Sequence, residues 1–263
     1  MRSLFWRCIR EFLWRAAHAR AAARVLAEAE AAAAAGTPCP PGRLAELRAY
    51  PWWEVRNAAV KLTALDRTGP ADEFLCGLLR DRTDVGIVRR NAAAALGARP
   101  ASPSAAGALR RGAADPYWEV RREAVWAVAR IDPRSEATFD TLCAAVPRER
   151  TNQVRMALAR ALGATGNPGA MQPLELLSAG ASWLVRLQSA VALAELAAAV
   201  PAHRERVRAV LARMERSSAG LTGRMVLADR MAVLDALLGG GEWPPADAIE
   251  SLYFAPGIPW TRQ

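Results

Sequence analysis

The chain has 263 residues and a formal net charge of +9, and of its 35 basic residues only Lys61 is a lysine. Cys8, Cys39, Cys76 and Cys143 form no Cys-x-x-Cys pair and have no histidine at ligand spacing, which excludes a disulfide framework and a zinc site. Excess positive charge favours nucleic acid or an anionic surface as partner, but many of these arginines recur at one fixed position along the chain, so a structural use comes first.

The N-terminal region, residues 1–41, carries Arg2, Arg7, Arg10, Arg15, Arg20 and Arg24. It has no uninterrupted apolar run long enough for a signal peptide or a membrane span, so a cytoplasmic protein is expected. Leu4, Phe5, Ile9, Phe12 and Leu13 lie on one apolar side, which suits a terminal cap over an exposed core. A basic segment lying on an anionic membrane or docking to a partner is the competing reading.

From residue 42 the chain repeats. Val-Arg opens an Ala-rich stretch at Val55-Arg56, Val88-Arg89, Val120-Arg121, Val154-Arg155 and Val185-Arg186, at spacings of 33, 32, 34 and 31. A period in this range marks units that bury their apolar faces only by stacking. At about 100° per residue, Val120, Ala124, Ala127, Val128 and Ile131 share one stripe, the pattern of a core-facing helix. Asp115-Pro116 places a capping side chain before a proline at the first helical position, so that helix is expected to begin there. A shorter helix precedes each of these, over residues 71–80, 102–111, 135–145 and 168–178, bounded by Gly, Pro and Asp. The fold expected is all-α, a right-handed α-α superhelix of about six helical hairpins. The array occupies residues 42–238. A tail at 239–263, with Trp243, Pro244, Pro245, Tyr253, Phe254, Pro256, Pro259 and Trp260, cannot continue it and is expected to cap it or fill its groove.

The stretch from Val154 to Leu177, with Leu162-Gly163, Gly166-Asn167-Pro168 and Pro173-Leu174, resembles the short HEAT-type repeat of phycobilin lyases and many bacterial α-solenoids. Asp115-Pro116-Tyr117-Trp118-Glu119-Val120-Arg121 resembles the opening of that repeat's second helix. The resemblance runs from Arg43 to about Ala199, with a degenerate sixth unit from Pro201 to Leu238. It implies a fold more than an activity, because proteins with this repeat include lyase chaperones, hydroxylases, DNA glycosylases and scaffolds. The hydroxylases resemble one another in His-Glu steps that ligate iron, and here neither His18 nor His203 is followed by Glu. Pro51-Trp52-Trp53-Glu54-Val55 resembles the tryptophan-rich helix opening of alkylpurine DNA glycosylases. Where those place a carboxylate one residue after the Val, this chain has Arg56 and then Asn57.

Two sets of residues follow from the repeat register. Arg56, Arg89, Arg121, Arg155 and Arg186 sit about 100° from the core-facing Val, toward the neighbouring unit, and suit a structural ladder bonding turn carbonyls or acids such as Asp84 and Asp115. Positions two before, two after and six after each Val are expected to face the groove lined by the second helices. These are Trp53, Asn57, Lys61; Gly86, Arg90, Ala94; Trp118, Arg122, Trp126; Asn152, Met156, Arg160; and Trp183, Leu187, Val191. Trp53, Trp118 and Trp183 recur at one register position, which also suits packing against the next unit, whereas Trp126 and Arg160 do not recur. The candidate partner-binding set is therefore Trp53, Asn57, Arg90, Trp118, Arg122, Trp126, Arg160 and Trp183, offering aromatic anchors and arginines to a protein partner or acidic peptide segment.

The chain shows no Gly-x-Ser-x-Gly turn, no P-loop and no carboxylate pair near a histidine. No catalytic residue, metal or cofactor is assigned. The expected role is a non-catalytic scaffold, adaptor or maturation factor. The alternatives are a nucleic-acid-binding solenoid and a lyase-like assistant for a cofactor or natural product.

Overall fold

The computed structural model describes residues 40–64 and 69–217, with scattered positions between 17 and 37 and at 234 and 238. The N-terminal region is thus only sparsely described, the aromatic tail lies outside the described residues, and the sixth unit is described over residues 201–217. Among the described residues all regular structure is helical, and none of the helices is long and apolar enough to cross a membrane. The chain divides into two compact units, Met1–Asp132 and Pro133–Gln263.

The first unit contains α1 (Pro41–Arg48), α2 (Trp53–Ala64), α3 (Gly69–Arg80), α4 (Gly86–Gly97), α5 (Pro103–Gly112) and α6 (Trp118–Ile131). Short connections force consecutive helices antiparallel, and the unit has two layers. In one, α1 packs on α3 and α3 on α5; in the other, α2 packs on α4 and α4 on α6. This is the all-α solenoid arrangement of stacked hairpins. Val55, Val88 and Val120 are fully buried where the layers meet, with Leu75, Leu96 and Leu109. Each such side chain contributes about 1.5–3 kcal/mol by leaving water.

Alanine and glycine let the second helices approach closely. A Cβ on Gly97 of α4 would fall 2.6 Å from Ala127 Cβ and 2.9 Å from Ala127 Cα of α6, so only glycine fits there. Among the shorter helices, α5 has a side-chain cap. Ser102 accepts the Ala105 N–H at 3.2 Å and Pro103 follows it at the first helical position. The Ser102 hydroxyl donates to Asp72 at 2.9 Å, and Arg99 bridges Asp72 (2.5 Å) and the Thr63 carbonyl (3.0 Å), tying three helices together.

One helix start differs from expectation. Asp115 does not cap a helix beginning at Pro116; α6 begins at Trp118 with Tyr117 as its capping residue. The Asp115 carboxylate is held by Arg89 of the preceding hairpin while one of its oxygens accepts the Tyr117 N–H at 2.9 Å, which fixes the turn two residues later.

The second unit contains α7 (Glu136–Ala145), α8 (Asn152–Thr165), a 3-10 turn (Pro168–Ala170), α9 (Met171–Ser178), α10 (Trp183–Ala199), a second 3-10 turn (Pro201–His203) and α11 (Arg204–Ser217). Helix α8 packs on α10, α9 on α10 and α10 on α11. Gly163, nine residues after Val154 as Gly97 is nine after Val88, meets Ala192 with the same closeness: a Cβ there would lie 2.9 Å from Ala192 Cβ. Helix α10 is apolar almost all round, and such a helix is buried on every side. Leu187 and Val191, expected to face a groove, are accordingly 1% and 0% exposed.

Candidate partner-binding face

The Val-Arg arginines are bonded in a recurring way. Arg56 of α2 donates from Nε and Nη2 to both oxygens of Asp84, each at 2.7 Å, and from Nη1 to the Tyr50 carbonyl. One hairpin later, Arg89 donates to both oxygens of Asp115 at 2.8 and 3.0 Å and to the Asp84 carbonyl. Arg121 reaches back to the carbonyls of Asp115 (2.9 Å) and Pro116 (3.0 Å). In the second unit Arg186 donates to the Gly180 carbonyl at 2.6 Å and to the Ser217 hydroxyl at 2.7 Å. Each of these side chains bonds a carbonyl of the turn before its own helix, and Arg56 and Arg89 also reach the next turn's acid. The Asp84 bond holds the Arg56 guanidinium above its usual range, with burial acting in the opposite direction. Arg89 is wholly buried and its guanidinium stacks over the Tyr117 ring at 5.2 Å.

The other face of α2, α4 and α6 carries the candidate residues of the first unit. Trp53 is 36% exposed at the start of α2. One and two turns on, Asn57 is half-buried and Lys61 exposed. On α4, Arg90 donates from Nε (3.1 Å) and Nη2 (2.9 Å) to Asn91 Oδ1, and Asn91 Nδ2 donates to Asn57 Oδ1 at 2.6 Å. A guanidinium has only donors, so the atom facing Arg90 must be the Asn91 oxygen. The Asn91 amide nitrogen then has to donate, which fixes the oxygen of Asn57 toward it and leaves the Asn57 amide N–H groups at the end of the relay. On α6, Arg122 lies over the Trp118 ring at 5.6 Å and 3.9 Å from Glu123, and Trp126 follows one turn later, half-buried.

Asn91 and Tyr117 were not among the residues singled out from sequence. Asn91 was legible: Asn57-Ala58-Ala59 recurs as Asn91-Ala92-Ala93 at a spacing of 34 residues, a polar residue repeated in an alanine background. Tyr117 is 54% exposed and packed against Gly86, and an aromatic recurs at its position as Trp52 in Pro51-Trp52-Trp53-Glu54-Val55-Arg56.

The remaining candidates belong to the second unit. Trp183 is half-buried at the first position of α10, and Arg160 is half-buried on α8. Burial pushes the Glu195 carboxyl of α10 up, and the charge of Arg160 pulls it back down. Among the described residues no group of three or more His, Cys, Asp or Glu side chains is placed to hold a metal ion. A cavity of about 240 Å³ lies between Arg24, Glu28, Arg43 and Tyr50. Arg43 is already engaged there by both Glu28 oxygens at 2.8 and 3.0 Å, which leaves it little to offer a ligand.

The HEAT repeats family model matches residues 40–129 and again residues 108–194. The two matches together span more than half of the chain, and the chain belongs to the HEAT-repeat family. Repeats of this kind serve as protein-interaction scaffolds. No curated protein matches the chain.

Proposed function

We propose that the protein is an adaptor or maturation factor whose first unit holds an acidic segment of a partner protein against α2, α4 and α6. The observation that carries this is the row of side chains on that face: Trp53 and Trp118 as apolar anchors, Lys61, Arg90 and Arg122 as cations, and the Asn57 amide between them. Aromatic and arginine side chains supply most of the energy of protein interfaces. The Arg122 guanidinium resting on Trp118 is pre-positioned for a carboxylate, and the Asn57 N–H groups suit the carbonyls of an extended chain. Trp126 extends the same face. Arg160 and Trp183 are offered as contacts of the second unit, independent of the first.

The test is affinity capture from the native source by the wild-type chain and by a Trp118→Ala, Arg122→Ala double variant, with a nuclease-treated sample beside each. The recovered protein is identified and its binding reconstituted from purified components. Binding lost in the double variant, indifferent to nuclease and accompanied by an unchanged helical spectrum is the expected result. Recovery of nucleic acid, with a steep fall in affinity as salt rises, would replace this reading with the nucleic-acid one. A collapse in melting temperature would make Trp118 and Arg122 structural.

A further inference from the structure

The turns before α4 and α6 each meet two arginines. At Asp84, the carboxylate takes Arg56 and the main-chain carbonyl takes Arg89; at Asp115, the carboxylate takes Arg89 and the carbonyl takes Arg121. The turn before α10 has the same two arginines and only half of the acceptors. Its carbonyl, that of Gly180, takes Arg186 at 2.6 Å. Asp84 and Asp115 stand four and five residues before their Val; the corresponding residues before Val185 are Ala181 and Gly180, and residues 179–182 include no acid.

Arg155 of α8 is the arginine left over. Its guanidinium lies on that turn, so close that a Cβ built on Gly180 would fall 2.9 Å from Nη2 and 3.1 Å from Nη1. Its Nε is buried with no hydrogen-bond partner. A buried charged donor without an acceptor is costly, and the geometry two turns earlier shows what satisfies it: a pair of carboxylate oxygens presented to the guanidinium fork. Arg186 brings a second cation to the same turn.

We propose that Arg155 is an open rung of the ladder and binds an oxyanion, a small carboxylate or a phosphate, in place of the acid that the turn lacks. Arginine suits this because its planar fork matches two acceptor oxygens at once. The site is built wholly within the second unit and is independent of the partner-binding face of the first.

Thermal melts at constant ionic strength, with sodium chloride exchanged for sodium phosphate or sodium acetate, test it in the full chain. The wild type is expected to show a saturable rise of about 3–6 °C at ten times the dissociation constant. A stronger response to acetate assigns a carboxylate and a stronger response to phosphate assigns a tetrahedral anion. Arg155→Gln is expected to lose the response. Ala181→Asp supplies the carboxylate in the register of Asp84, and is expected to melt higher without added anion and not to respond further. A wild type indifferent to both oxyanions overturns the proposal, as does a response retained in either variant.

Discussion

Replacing Asp115 by asparagine changes one charge and almost no volume at the best-buried rung of the array. The Asp115 side chain is 2% exposed and that of Arg89 is 0% exposed. In the wild type the guanidinium meets two carboxylate oxygens; in Asp115→Asn one of these becomes an amide nitrogen, a donor facing a donor, and the arginine charge stays buried without its counter-ion. Removing one partner of a buried pair costs about 3–5 kcal/mol, because the penalty is that of the stranded charge rather than the worth of the pair. For a chain of this size that lowers the melting temperature by about 6–20 °C. Urea unfolding followed by far-UV circular dichroism, beside a thermal melt, measures both. The parallel change Asp84→Asn is expected to cost less, since its partner Arg56 is 15% exposed and water can take over part of its solvation. A loss under about 1 kcal/mol in Asp115→Asn, the size seen for solvent-exposed pairs, would refute the claim that the rung is a desolvated structural element.

Two further perturbations probe other parts of the same architecture. Gly97→Ala places a methyl group 2.6 Å from Ala127 Cβ, so α4 and α6 must separate; a loss of about 1–3 kcal/mol is expected even though alanine is the better helix former, and a stabilised variant would show that the contact yields easily. Glu195→Gln reads the second unit by pH. The folded carboxyl is raised by burial, so the stability tied to its neutral form is fully present below the ordinary carboxylate range and is lost as pH rises through the raised value. The glutamine variant should therefore lose less stability than the wild type between acid and neutral pH, and parallel stability-against-pH curves would count against a desolvated Glu195.

The hairpins were legible because two periodicities coincide: the 3.6-residue stripe within each second helix and the spacing of about 33 between the Val-Arg pairs. Helices expected at 71–80, 102–111 and 135–145 are found at Gly69–Arg80, Pro103–Gly112 and Glu136–Ala145. The site was less legible, and for a physical reason. Periodicity identifies the side of a helix that faces the core, but what covers the opposite side depends on neighbours that the period does not encode. On α10 the apolar residues run round the whole helix, and that all-round composition, rather than register, decides the burial of Leu187 and Val191. Asp115 misled for a related reason. Its local signal is that of a helix cap, but its carboxylate answers to Arg89, 26 residues earlier, and long-range pairing overrides the local preference.

The ladder also changes what the basic composition means. Thirty-five basic residues in a chain of 263 look like a nucleic-acid surface. Arginines that lie against internal carboxylates displace no counterions when a polyanion arrives, because their charge is already compensated inside the fold. Arg56 and Arg89 are of this kind, as is Arg99 with Asp72. The cations of the candidate face are few and interleaved with indole rings and asparagine amides, and Glu123 stands 3.9 Å from Arg122. An unbroken basic stripe, which tracking a phosphate backbone would need, is not what α2, α4 and α6 present. A few cations set among large aromatic surfaces favour a ligand that carries isolated acids on an otherwise ordinary chain, which is a description of a protein segment.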